Sequence, residues 1–112
     1  MKTDAMEIEV LSYRGIDVLK VYGDIDLYSS PGLRKNLISI ICKKPGTLLV
    51  DLSNVSYIDS SGIATFVEGL KNMMCYGGRL KFIGLPDRIR EIFSFSRLDK
   101  VFEIYDGIDQ AI

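Results

Sequence analysis

Residues 48–71, LLVDLSNVSYIDSSGIATFVEGLK, decide the fold of this chain, because the period of the apolar residues changes within them. Leu48, Leu49, Val50 and Leu52 form a nearly continuous apolar run with Asp51 as its one charge. That is the pattern of a strand covered on both faces in a parallel or mixed sheet. Beyond it, Ile63, Phe66, Val67, Leu70 and Met74 recur at i, i+3, i+4, i+7 and i+11, which places them on one stripe of a helix. Asp59-Ser60-Ser61-Gly62 lies between the two periods. Asp and Ser oxygens accept hydrogen bonds from the free N–H groups of a helix's first turn, so this tetrapeptide predicts the helix start.

Upstream, Met6, Ile8 and Val10 alternate with charged residues, and Tyr13-Arg14-Gly15 supplies turn chemistry before Ile16 to Tyr22 resumes a strand pattern. A hairpin is predicted there. It runs into the acidic loop Gly23-Asp24-Ile25-Asp26, followed by a helix with Ser30 as N-cap and Pro31 at its first position. Leu33, Leu37, Ile40 and Ile41 keep helical spacing until Lys43, Lys44, Pro45 and Gly46 stop it. Downstream of the central helix, which should end at Tyr76-Gly77-Gly78, Leu80, Phe82 and Ile83 read as a strand and Pro86-Asp87 opens a helix with Ile89, Ile92 and Phe93 inward. Phe93 and Phe95 are candidates to pack under the last strand, an exposed Phe95 marking a contact surface instead. Residues 101–105 form that strand, and Asp106 is the candidate cap of a terminal helical turn holding Ile108 and Ile112. The order is ββαβαβαβα, an α/β chain with a mixed sheet of four to five strands and crossover helices.

Composition removes several functions. With 112 residues and no break in composition, residues 7–112 are predicted to be a single domain behind a flexible N-terminus, 1–6. Fourteen basic residues against fifteen acidic ones give a net charge of −1, so no overall field points to nucleic acid or anionic lipid. The chain has no histidine, which excludes a Ser-His-Asp or Cys-His catalytic arrangement and a histidine-bearing zinc site within it. Cys42 and Cys75 lack the spacing of a metal or redox motif and are predicted to be buried free thiols in a reducing compartment. No segment has the apolar length of a membrane span or a signal-peptide h-region, so a soluble cytoplasmic domain is expected.

Asp59-Ser60-Ser61-Gly62 after the strand LLVDL, with Gly23-Asp24-Ile25-Asp26 upstream and Leu98-Asp99-Lys100-Val101-Phe102 near the end, resembles the STAS domain of bacterial anti-sigma factor antagonists. The resemblance covers nearly the whole chain and implies the STAS (SpoIIAA-like) fold. It further implies a non-enzymatic partner of a serine kinase that doubles as an anti-sigma factor. The kinase would bind ATP and magnesium and phosphorylate Ser60 to end the interaction, a phosphatase would reverse it, and this chain would hold no cofactor or metal. Asp26, Asp59, Ser60, Ser61 and Gly62 are the implied partner-binding residues. Two departures stand out: Gly62-Ile63-Ala64 replaces a frequent Gly-Leu-Gly, and Ser96-Arg97-Leu98 replaces Thr-Gly-Leu, which puts the local turn geometry in question.

Independently of that resemblance, a phosphate on Ser60 would sit at a helix amino terminus, where free N–H groups and the macrodipole favour negative charge by roughly 0.3 to 1 kcal/mol. The surface, in contrast, would gain a charge of about −1.5 to −2 beside Asp59, with Asp26 a second candidate neighbour. Such a modification acts on binding rather than on folding. Three rival readings are weaker or less specific. A serine enzyme needs a base that no residue pairs with Ser60. A receiver-type domain with Asp51 or Asp59 as acceptor needs an acidic pair to hold magnesium where this chain has Val10-Leu11-Ser12. The third keeps the fold: a STAS interaction module of another signalling assembly or a transport complex, with Ser60 only a helix cap.

Overall fold

The computed structural model describes residues 6–112. Its elements run β1 (Glu7–Tyr13), β2 (Ile16–Tyr22), α1 (Ser30–Ile41), β3 (Thr47–Asn54), α2 (Ser60–Met74), β4 (Arg79–Ile83), α3 (Asp87–Phe95), a 3-10 turn (Leu98–Lys100), β5 (Glu103–Tyr105) and α4 (Ile108–Ala111). This is the predicted order. Five strands lie in the sequence β1-β2-β3-β4-β5, with β1 antiparallel to β2 and every later pairing parallel, so the sheet is mixed. The hairpin closes through Arg14 and Gly15, both at positive φ (53° and 81°), the backbone that a two-residue turn needs to match the twist of its strands. Of the expected flexible N-terminus, residues 1–5 lie outside the described residues, while Met6 packs against the core.

The sheet's period of two sorts its side chains. Leu19, Val21, Leu48, Val50, Leu52, Leu80 and Phe82 join Leu33, Leu37, Phe66, Met73, Ile89 and Phe93 in the main core under α1, α2 and α3. Val18, Leu49 and Ile83 point the other way and meet Ala111 of α4. The run 48–50 is therefore buried on both faces, as its composition predicts. Phe82 sits at the centre of an aromatic knot, with ring centroids 5.0 Å from Phe66, 5.6 Å from Phe93 and 4.8 Å from Phe102.

Several expectations need correction. The buried stripe of α2 runs through Gly62, Thr65, Phe66, Gly69 and Met73, so it is turned by about one residue from the predicted one. Ile63, Val67 and Leu70 flank it half-buried and Met74 is exposed. Glycine is the cause: a Cβ on Gly69 would stand 2.7 Å from Leu37 Cδ2, so the bare backbone lets α2 close onto α1. Both cysteines are exposed rather than buried. They are the C-cap residues of α1 and α2, one residue past the buried Ile41 and two past the buried Met73. Ser29, not Ser30, precedes the first helical residue of α1, which moves Pro31 to the second position, still among the free N–H groups. The last strand starts at Glu103, because Val101 and Phe102 donate back to Leu98 O (3.0 and 2.8 Å) and Phe102 turns into the aromatic knot. Gly107, not Asp106, precedes α4, its N–H donating to Gln110 Oε1 at 2.8 Å while Asp106 pairs with Arg90. Arg97 takes φ 60°, the left-handed conformation that a glycine would supply, so the turn in question keeps its geometry. Phe93 is buried and Phe95 is 94% exposed.

Candidate functional site

Two loops meet beyond the ends of β2 and β3. Ile25 and Ile58 form a parallel bridge that prolongs the pairing of the two strands, with Gly23 N–H on Asn54 O (3.1 Å), Ile25 N–H on Tyr57 O (2.9 Å) and Asp59 N–H on Ile25 O (3.1 Å). This zip sets the entry of α2. Asp59 arrives in extended backbone as its N-cap, and its Oδ1 accepts from Ser61 N (2.9 Å), Ser61 Oγ (2.6 Å) and Gly62 N (3.4 Å). The Ser61 hydroxyl, then the Ser61, Gly62 and Leu27 N–H groups, hold the Asp59 carboxyl below the usual carboxylate range against the opposing pull of desolvation.

The predicted site residues separate by role. Ser60 opens the helix, is exposed, and takes no part in the side-chain hydrogen bonding among the described residues. Ser61 is half-buried, its Oγ 2.8 Å from Ser30 Oγ. Gly62 is buried because a Cβ there would run into Ile25 and lie 2.9 Å from Ile58 Cγ1. Asp26 stands one loop away, its Oδ1 accepting from Tyr28 N (2.9 Å) and Ser29 N (3.0 Å), so its carboxylate builds its own turn. Its carbonyl makes the link to the site, accepting from Ser30 N (2.8 Å) and Ser30 Oγ (2.6 Å). Asp59, Ser60, Ser61 and Gly62 thus form one cluster, which Asp26 reaches through Ser30. Among the described residues no group of three or more acidic or cysteine side chains is arranged to hold a metal ion.

The model adds residues that the sequence reading passed over. Ser30, expected as the N-cap of α1, joins the two loops. Leu27 (67% exposed), Tyr28 (90%) and Tyr57 (47%) give the two bridged loops an exposed apolar rim, and the Leu27 N–H reaches Asp59. A signal existed for the first two: large apolar residues inside a turn-forming segment, with no periodic partner.

Residues 7–111 match the model of the STAS domain. The chain belongs to the STAS domain family. An anti-sigma-B factor antagonist of Listeria monocytogenes is 33% identical over 100 residues, covering 89% of this chain and 87% of its own. Among solved structures, an anti-sigma factor antagonist from Mycobacterium paratuberculosis superposes with a TM-score of 0.89 at 24% identity, covering 98% of this chain and 93% of that one. The Bacillus cell fate determinant SpoIIAA in its phosphorylated form gives 0.72 at 20%, covering 96% and 95%. At these identities the structures establish the STAS fold, and the five-stranded mixed sheet agrees with it. No helix among the described residues is long and apolar enough to cross a membrane.

Proposed function

We propose that this STAS domain is an anti-sigma factor antagonist: unmodified, it binds a serine-kinase anti-sigma factor and so frees a sigma factor, and phosphorylation of Ser60 ends the binding. The observation that carries this reading is the contrast at the start of α2, where Asp59 does the capping and leaves the Ser60 hydroxyl exposed. Helix capping therefore does not account for Ser60, which weakens the alternative of a STAS module in which that serine only caps. Support comes from the relatives named as anti-sigma-B factor antagonists and from a structural neighbour solved in a phosphorylated form.

The chain acts through binding, not catalysis. It supplies the acceptor hydroxyl, the partner supplies ATP and magnesium, and a phosphatase restores Ser60. Leu27, Tyr28 and Tyr57 offer the partner exposed apolar area on the same two bridged loops that lead to Ser60. A phosphate on Ser60 sits well on the helix terminus but sets two anions side by side with Asp59, so the partner faces a surface it no longer fits. The test is to capture partners from the native cytosol on wild type and on Ser60→Ala, then add ATP and map phosphosites. The expected result is a kinase that labels Ser60 and releases wild type while retaining Ser60→Ala. Capture of a protein without kinase activity, with Ser60 unmodified, would place the domain in another signalling or transport assembly.

A further inference from the structure

Two adjacent hydroxyls stand at the start of α2, and the structure treats them differently. Ser61 Oγ lies 2.6 Å from Asp59 Oδ1 and 2.8 Å from Ser30 Oγ. Asp59 is ionised, held there by its N-cap hydrogen bonds, so the single hydroxyl proton of Ser61 is given to that carboxylate. Ser30 is then the donor in the Ser30–Ser61 contact, its proton shared with the Asp26 carbonyl at 2.6 Å. The Ser61 oxygen thus has its proton committed and one lone pair occupied, while Ser60 is exposed and outside the network.

We propose that this cage selects the acceptor: Asp59 and Ser30 hold the Ser61 oxygen out of phosphoryl transfer, so that the phosphate goes to Ser60 alone. The inference rests on the reading of Ser60 as a phosphoacceptor and adds what sets the choice between neighbours. In the transfer a serine oxygen attacks the γ-phosphorus of ATP on the partner kinase. The new O–P bond forms as the bond to the β-γ bridging oxygen breaks, ADP leaves, and the hydroxyl proton passes to a base on the kinase. Ser60 can turn its oxygen into that line. Ser61 would have to break with Ser30 and build a phosphate within hydrogen-bond reach of the Asp59 carboxylate, where like charges repel. Asp59 does not instead activate Ser61 as a base, because the N–H groups of Ser61 and Gly62 share its charge and lower its basicity. Asp59 and Ser30 are positioning residues.

Phosphosite mapping by mass spectrometry tests this, using the captured kinase with ATP on wild type, Ser30→Ala and Asp59→Asn, each also combined with Ser60→Ala. Removing a hydrogen bond to a charged group is worth about a tenfold to hundredfold change and removing a neutral one about two- to tenfold, so the share of label on Ser61 should rise roughly tenfold or more in Asp59→Asn and about several-fold in Ser30→Ala. Ser60→Ala alone should stay unlabelled, and Ser30→Ala/Ser60→Ala should acquire phosphate on Ser61. A purely structural role would lower total label without moving its distribution. Label confined to Ser60 in every cage variant overturns the cage, as does label on both serines of the wild type. A wild type labelled at neither serine overturns the acceptor reading itself. Ser30→Ala removes a single oxygen, and its amide spectrum checks folding, so the comparison stands even where Asp59→Asn weakens the helix start.

Discussion

A methyl group added at Gly62 would run into Ile25 Cγ2 and lie 2.9 Å from Ile58 Cγ1, the two residues whose bridge holds the site loops together. Gly62→Ala should therefore cost about 1–3 kcal/mol, the usual penalty for overpacking, rather than gain the small helix-propensity advantage of alanine. Urea unfolding checks it, and a midpoint at or above the wild-type value would contradict the packing described. Asp59 makes a second prediction at this scale. Its folded pKa is depressed, first by the Ser61 hydroxyl, so its stabilisation is fully present above the pKa of the unfolded carboxyl and is lost as pH falls through the lower folded value. Carboxyl titration by NMR should find Asp59 below an unfolded-peptide aspartate, and Ser61→Ala should move it upward; no movement would remove the hydroxyl as the main cause. The place of this site was readable from sequence, since only residues with capping oxygens suit the change of period at 59–62. Which of three good caps does the capping was not, because Asp and Ser are near-equal caps and the choice is made by the Ile25 carbonyl that receives Asp59 N–H.

Among the elements, Phe82 of β4 meets Phe66 of α2, Phe93 of α3 and Phe102 just before β5, so one ring fastens three elements and the lead into a fourth. Phe82→Ala should cost about 3–5 kcal/mol, a large fraction of the stability of a domain this size. A loss below about 1 kcal/mol in denaturant melts would mean that the knot does not hold the core. By comparison, the Arg34–Glu68 pair that also joins α1 to α2 is solvent-exposed and screened, so it contributes little. Strand and helix types were legible throughout because their periods are distinct. The face of α2 was less so: periodicity weights large apolar residues, whereas Gly62 and Gly69 face the core because they are small. Cys42 and Cys75 misled for a related reason, their type favouring burial while their places at helix ends dictate exposure.

At the scale of the whole molecule, the topology follows from connection length. The two-residue turn forces β1 and β2 antiparallel, and each later crossover helix sets the next strand parallel beside the last. That arrangement brings the loops after β2 and β3 to one end of the sheet, which carries the exposed Leu27, Tyr28 and Tyr57, the Asp59–Ser61 cage and the exposed Ser60. The switch proposed for Ser60 would leave the fold alone and change the surface. Leu27 and Tyr28 were hinted at by their place in a turn-forming segment, whereas Tyr57 was invisible to sequence because its exposure is a property of the assembled loops. The most direct measurement is calorimetric titration of the anti-sigma kinase that the proposed capture would yield, with the unmodified chain and with the chain quantitatively phosphorylated on Ser60, together with the Tm of both forms. The account predicts nearly equal Tm values and binding weaker by about a hundredfold, some 2.7 kcal/mol, after phosphorylation. Equal affinities for the two forms, or a phosphorylated chain that loses binding only because it unfolds, would contradict it.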